Sequence, residues 1–146
     1  MKKGRSENLS ERKDVGEMGY NWTEMIQLHK QAAESHLKVK KVKEAAEAYK
    51  KLGYAYAQFA ETVDTSAEYM DQTRNAIDAF RKAATLYIQI GNRQEELECI
   101  GEAFFFSAFV AGSNMELKKA VSKSREHFIE SSELFAKEND QEGRGR

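Results

Sequence analysis

The sequence contains no proline in 146 residues, where ordinary usage of roughly 5% would place about seven. Long helices can run uninterrupted in such a chain, and proline-rich linkers and collagen-like repeats are excluded. Cysteine is limited to Cys99, so there is no internal disulfide and no zinc site built from several thiolates. Of nine glycines, only Gly53, Gly91, Gly101 and Gly112 lie away from the terminal segments. Neither charge sign prevails: 23 basic residues face 24 acidic ones, which favours neither a nucleic-acid binder nor a polyacidic buffer. Long apolar runs are missing too. No stretch approaches the 18 or more apolar residues that cross a bilayer, and MKKGRSENLSERKD lacks the apolar centre of a signal peptide. A soluble, cytoplasmic protein with no integral membrane segment is therefore expected.

What is abundant is helix-forming. Ala, Glu, Lys, Leu and Arg make up nearly half of the chain, a composition typical of long helices and contrary to an all-β sandwich. The length suits one domain. Residues 1–20 and 139–146 carry few large apolar residues and are expected to be disordered tails, flanking a helical domain over 21–138.

Within that domain, apolar residues recur every three or four positions, which predicts an all-α fold of about five amphipathic helices. The first spans about Trp22 to Lys38 with Asn21 or Thr23 as its cap, and the second about Val42 to Val63. Asp64, Thr65 and Ser66 supply turn and capping chemistry before a third helix from Ala67 to Ile90, which stops at Gly91. Asn92 caps a fourth helix, Arg93 to Ala111, ending at Gly112. Ser113 followed by Glu116 forms a capping-box pattern that opens a fifth helix, reaching about Lys137. The segment LKVKKVKEA contains no breaker, so the first two helices are either separate or continuous.

A repeat runs through these helices at an offset of 48 residues. Tyr49, Leu52, Gly53 and Tyr56 are matched by Leu97, Ile100, Gly101 and Phe104. Ala76, Phe80, Ala83, Ala84 and Tyr87 are matched by Ser124, Phe128, Ser131, Ser132 and Phe135. One helix pair is thus used twice. A glycine inside a helix costs about 1 kcal/mol relative to alanine, so Gly53 and Gly101 call for a compensating close approach by a neighbouring helix.

This order of large, aliphatic, small and aromatic residues, followed by Ala-x3-Phe-x2-Ala in the next helix, resembles the tetratricopeptide repeat. The phrase AIDAFRKAATLYIQIGN is similar to the longer-helix repeats of soluble attachment proteins in membrane-fusion machinery. The period of 48 rather than 34, Tyr49 and Leu97 in place of the signature tryptophan, and Gly91-Asn92 in place of the usual proline depart from the standard pattern. The resemblance implies antiparallel helix hairpins stacked as a right-handed superhelix, a non-enzymatic role in protein–protein interaction, and no cofactor. It places Glu47, Lys50, Tyr54 and Gln58, then Glu95, Glu98, Glu102, Phe105 and Phe106, on the face turned toward a partner. Glutamates stand where chaperone-binding relatives clamp a carboxylate with Lys, Arg and Asn. The expected partner is a protein or peptide with basic and apolar residues. The plainer alternative makes both phenylalanines core and the glutamates a solvated face.

The run Phe104 to Phe106, with Phe109 and Val110, makes the fourth helix apolar nearly all round, fitting a central helix or a homodimer interface. Lysine clusters at Lys38, Lys40, Lys41 and Lys43, and at Lys118, Lys119 and Lys123 with Arg125, lack interleaved aromatics and read as solvated faces, not nucleic-acid sites. His29 and His36 are seven residues apart, a poor spacing for a helical metal site. His36 followed by Lys38 on a helix admits a competing reading, a histidine phosphotransfer bundle. No catalytic constellation stands out. The acidic residues around Cys99 are expected to blunt its reactivity.

Overall fold

The computed structural model describes residues 21–144, with side chains through residue 139. The tail expected over 1–20 lies outside the described residues. Among the described residues there are five helices: α1 (Trp22–Lys38), α2 (Val42–Ala60), α3 (Ser66–Gln89), α4 (Arg93–Ser107) and α5 (Asn114–Arg144), with a 3-10 turn at Ala108–Val110 between the last two. Each helix packs against the next in the chain. The fold is all-α, and the short connections turn every helix back along its predecessor.

Side-chain oxygens open four of the helices. Asn21, Thr65, Asn92 and Ser113 each accept a hydrogen bond of 3.1 Å from the backbone N–H three residues on, satisfying one of the donors a helix start leaves free. Glu116 in turn accepts from the Gly112 N–H at 2.8 Å, so the box at α5 closes one residue upstream of the usual position.

The helix ends show where local chemistry was harder to read. Gly91, with φ of 72°, closes α3: its N–H donates to Ile88 and the Asn92 N–H donates to Tyr87. An identical turn closes α1, where the Lys40 N–H donates to Leu37 and the Lys41 N–H to His36. There the left-handed residue is Lys40 itself, at φ of 61°. The first two helices are therefore separate, at the cost of a non-glycine residue in a conformation that favours glycine.

Three boundaries move. α2 stops at Ala60 and not at Val63, because Glu61 and Thr62 bond back to residues three earlier and the Thr62 hydroxyl also donates to the Phe59 carbonyl. α4 ends at Ser107 and tightens into the 3-10 turn, and the chain is extended at Ala111, one residue before Gly112. α5 continues to Arg144, past the expected end at Lys137 and through most of the expected tail. With no proline in its path, lengthening a helix already anchored by packing avoids the cost of nucleation.

Small residues let the helices approach closely. Ala33, Ala45, Ala46, Ala83 and Ala84 are buried where α1, α2 and α3 meet, with Tyr49, Leu52 and Tyr87 filling the space between. The sequence repeat is repeated in the packing. A Cβ placed on Gly53 would lie 2.8 to 2.9 Å from the Phe80 ring, and one on Gly101 would lie 2.9 to 3.1 Å from the Phe128 ring. Phe80 and Phe128 are 48 residues apart, as are the two glycines.

Candidate functional site

α2 and α4 are not neighbours in sequence, yet their side chains meet along one face. Lys50 Nζ donates to Glu95 Oε1 at 2.7 Å and lies 3.0 Å from Glu98 Oε2. One turn on, the Tyr54 hydroxyl donates to Glu102. Tyr54 and Glu102 are themselves 48 residues apart, so equivalent positions of the two repeats stand side by side.

The groups are partly withdrawn from water, and their protonation follows. Burial alone would lower the Lys50 ammonium, but hydrogen bonds and charge from Glu95 and Glu98 win and hold its pKa above the ordinary lysine value. Burial raises the Tyr54 phenol, and its bond to the Glu102 carboxylate raises it further. Glu102 is raised by burial and by Glu98, against the lowering effect of Tyr54 and Lys50. Beneath this seam lies Cys99, fully buried, whose thiol is pushed up to about 12 by burial first and by the three glutamates, with Lys50 pulling the other way. It is a packing residue at ordinary pH. The acidic run expected to blunt it contributes, but burial is the larger cause.

Aromatic rings continue the face. Tyr54 meets the edge of Phe80 with centroids 4.9 Å apart, and Phe80 stacks on Phe106 at 5.8 Å. Phe105 meets Phe106 edge to face at 5.1 Å and Phe109 at 5.3 Å. The two phenylalanines expected together at the site therefore part company. Phe106 is half-buried over Phe80, whereas Phe105 is 44% exposed. Phe104 points the third way, toward His127 on α5. The fourth helix is central, with α3 on one side and α5 on the other.

Of the residues singled out in the sequence, Lys50, Tyr54, Glu98 and Glu102 are brought together, and Glu95 joins them. Gln58 is exposed one turn beyond Tyr54, and Glu47 is exposed one turn before Lys50. Glu98 and Glu102 are already engaged across the seam. A basic partner would compete with Lys50 and Tyr54 for them. His36 is half-buried in the last turn of α1, and Lys38, Lys40, Lys41 and Lys43 are all exposed around the α1–α2 turn.

Sequence reasoning missed a second feature, an apolar groove of about 510 Å³ between α4 and α5, walled by Phe105, Phe109, Leu117, Val121 and Phe128. The repeat offset relates its walls to residues of the first pair, but which of the two is covered depends on how the helices pack. Among the described residues, no group of three or more His, Cys, Asp or Glu side chains is placed to hold a metal ion, and no helix is long and apolar enough to cross a membrane. Compared with known proteins, the chain matches no family model, no curated protein and no solved structure.

Proposed function

We propose that this protein is a non-enzymatic interaction module of tetratricopeptide-like build, which presents the α2–α4 face to a peptide, helix or subunit of another protein. The observation that carries the reading is the side-by-side placement of equivalent positions, Tyr54 against Glu102, on two helices separated by a third in the chain. Stacked hairpins of the tetratricopeptide kind line one face with the first helix of each pair, and in this reading α2 and α4 are those helices. Recognition on such a face rests on apolar anchors and rim charges, with no bond-making step. Tyr54 and Phe105 supply exposed aromatic surface, and Glu98 and Glu102 supply acceptors suited to a partner that carries Lys or Arg beside apolar residues.

Affinity capture from the native lysate, comparing the wild-type chain with the double variant Glu47→Gln, Gln58→Ala, both exposed on that face, tests the reading. The expected result is a retained protein whose binding falls in the double variant while circular dichroism shows the same helicity. An identical set of retained proteins at unchanged affinity would overturn it.

A further inference from the structure

The two helix pairs differ in what lies over them. In the first pair, Ala57 of α2 and Ala76, Ile77 and Phe80 of α3 form a depression that Ala103, Phe106 and Val110 of α4 and the following turn fill. Adding 48 to those four positions gives Phe105, Ser124, Arg125 and Phe128, and all four line the open groove of about 510 Å³ between α4 and α5. Thr73, buried in the first pair, corresponds to Val121, which is 45% exposed. The chain has built the same seat twice, and among the described residues only the first is filled.

We infer that the α4–α5 groove is the docking site for an amphipathic helix of another protein that carries apolar residues at i, i+3 and i+7 and basic residues at i−8, i−5 and i−1. The apolar spacing is that of Ala103, Phe106 and Val110, the residues that fill the first seat. The charges follow from the same offset. Relative to Ala103, Glu95 and Glu98 are i−8 and i−5 and face Lys50, while Glu102 is i−1 and faces Tyr54. In the second seat, Lys50 is replaced by Glu98 and Tyr54 by Glu102. By the offset, Glu98 and Glu102 flank the second seat as Lys50 and Tyr54 flank the first, while Arg125, the one charged residue lining the groove itself, stands at the place of Ile77; the complement of acidic flanking positions is basic, so the occupant's flanking charges are inverted relative to α4.

Other parts of this chain fit the seat poorly. The exposed apolar residues of α1 and its turn, Leu28, Leu37 and Val39, do not have the i, i+3, i+7 spacing. Within residues 1–20, Val15 and Met18 have the first interval, but the positions that should be basic are Glu7, Ser10 and Asp14. The inference deepens the interaction reading and rests on it only in that the protein binds other proteins.

Fluorescence anisotropy with the full 146-residue chain tests it, using a labelled synthetic peptide that copies residues 93–110 with E95K, E98K, E102K and C99S. Saturable binding is expected, weakened about tenfold or more when the three glutamates are kept in the peptide, and weakened as much by Val121→Asp or, independently, Leu117→Asp in the protein. Both substituted positions are exposed enough for the fold to survive, and circular dichroism checks it. Equal binding of the two peptides, binding that survives both substitutions, or no binding would overturn the proposal. So would a dimer in sedimentation that Val121→Asp dissolves, which makes a second copy the occupant, or a tenfold gain in peptide affinity on deleting residues 1–20, which makes that segment the occupant. Glu47→Gln with Gln58→Ala, both exposed on α2 away from the groove, should leave peptide affinity unchanged, so failure of the groove and failure of the α2–α4 face are read separately.

Discussion

Phe80 and Phe128 occupy equivalent places in the two helix pairs, each with its ring against a helix glycine, yet Phe80 is wholly buried and Phe128 only half. Their surroundings make the difference. Tyr54 and Phe106 close over Phe80, whereas Phe128 lines an open groove. Beyond it, Val121, Ile129 and Phe135 on α5 are each about half exposed. One plan thus yields a core where a further helix covers it and an apolar surface where, among the described residues, none does. Burying an apolar side chain stabilises by about 1.5–3 kcal/mol, so the first pair anchors the fold and the second leaves part of that stabilisation unrealised.

Truncating the two rings should separate the pairs most widely. Phe80→Ala is expected to cost about 3–5 kcal/mol and Phe128→Ala less than about 2, measured by urea unfolding. Similar costs would mean that the second pair is as well covered as the first. Alanine at the two glycines gives the next largest contrast. Gly53→Ala drives a Cβ into a ring that Tyr54 and Phe106 hold in place, and should destabilise by about 1–3 kcal/mol. Gly101→Ala meets a ring with open space beside it, and the gain in helix propensity of about 1 kcal/mol should leave it near neutral.

The seam between α2 and α4 adds a pH-dependent term. Lys50 is raised in the folded state, so its contribution is complete below the ordinary lysine pKa of about 10.4 and is lost as pH rises through the higher folded value. Lys50→Met should cost about 1–2 kcal/mol at pH 8 by leaving Glu95 and Glu98 without their cation, and the penalty should shrink by pH 11. The smallest effect is expected where the two left-handed turns differ. Lys40→Gly should raise stability by up to about 1 kcal/mol, while Gly91→Ala should lower it by a similar amount, both readable as shifts in the urea midpoint.

Much of this architecture was legible because helices advertise themselves through periodic apolar residues, and Asn92, Thr65 and Ser113 announce helix starts by their chemistry. Gly53 and Gly101 were legible for a different reason, since an interior glycine implies a close neighbour. Lys40 was not, because nothing in a lysine marks it for the left-handed region; the turn imposes it. The run Phe104 to Phe106 defeated periodicity as well. Three consecutive residues on a helix point about 100° apart, and only the placement of α3 and α5 decides that Phe106 goes inward and Phe105 outward. At the site, Lys50, Tyr54, Glu98 and Glu102 were found as one face, but their engagement with one another depends on the distance between helices that are not sequence neighbours. The groove was missed because its walls are filled in one repeat and open in the other, which a comparison of residue types alone does not reveal.

Native-state hydrogen exchange resolved to single amides tests the difference between the pairs most directly. Amides in the middle of α3, around Phe80, should exchange only through global unfolding, and those around Phe128 in α5 through openings that are at least about 1–2 kcal/mol easier. Uniform protection across α3 and α5 would contradict the account, because it would mean that the second pair is held as firmly as the first.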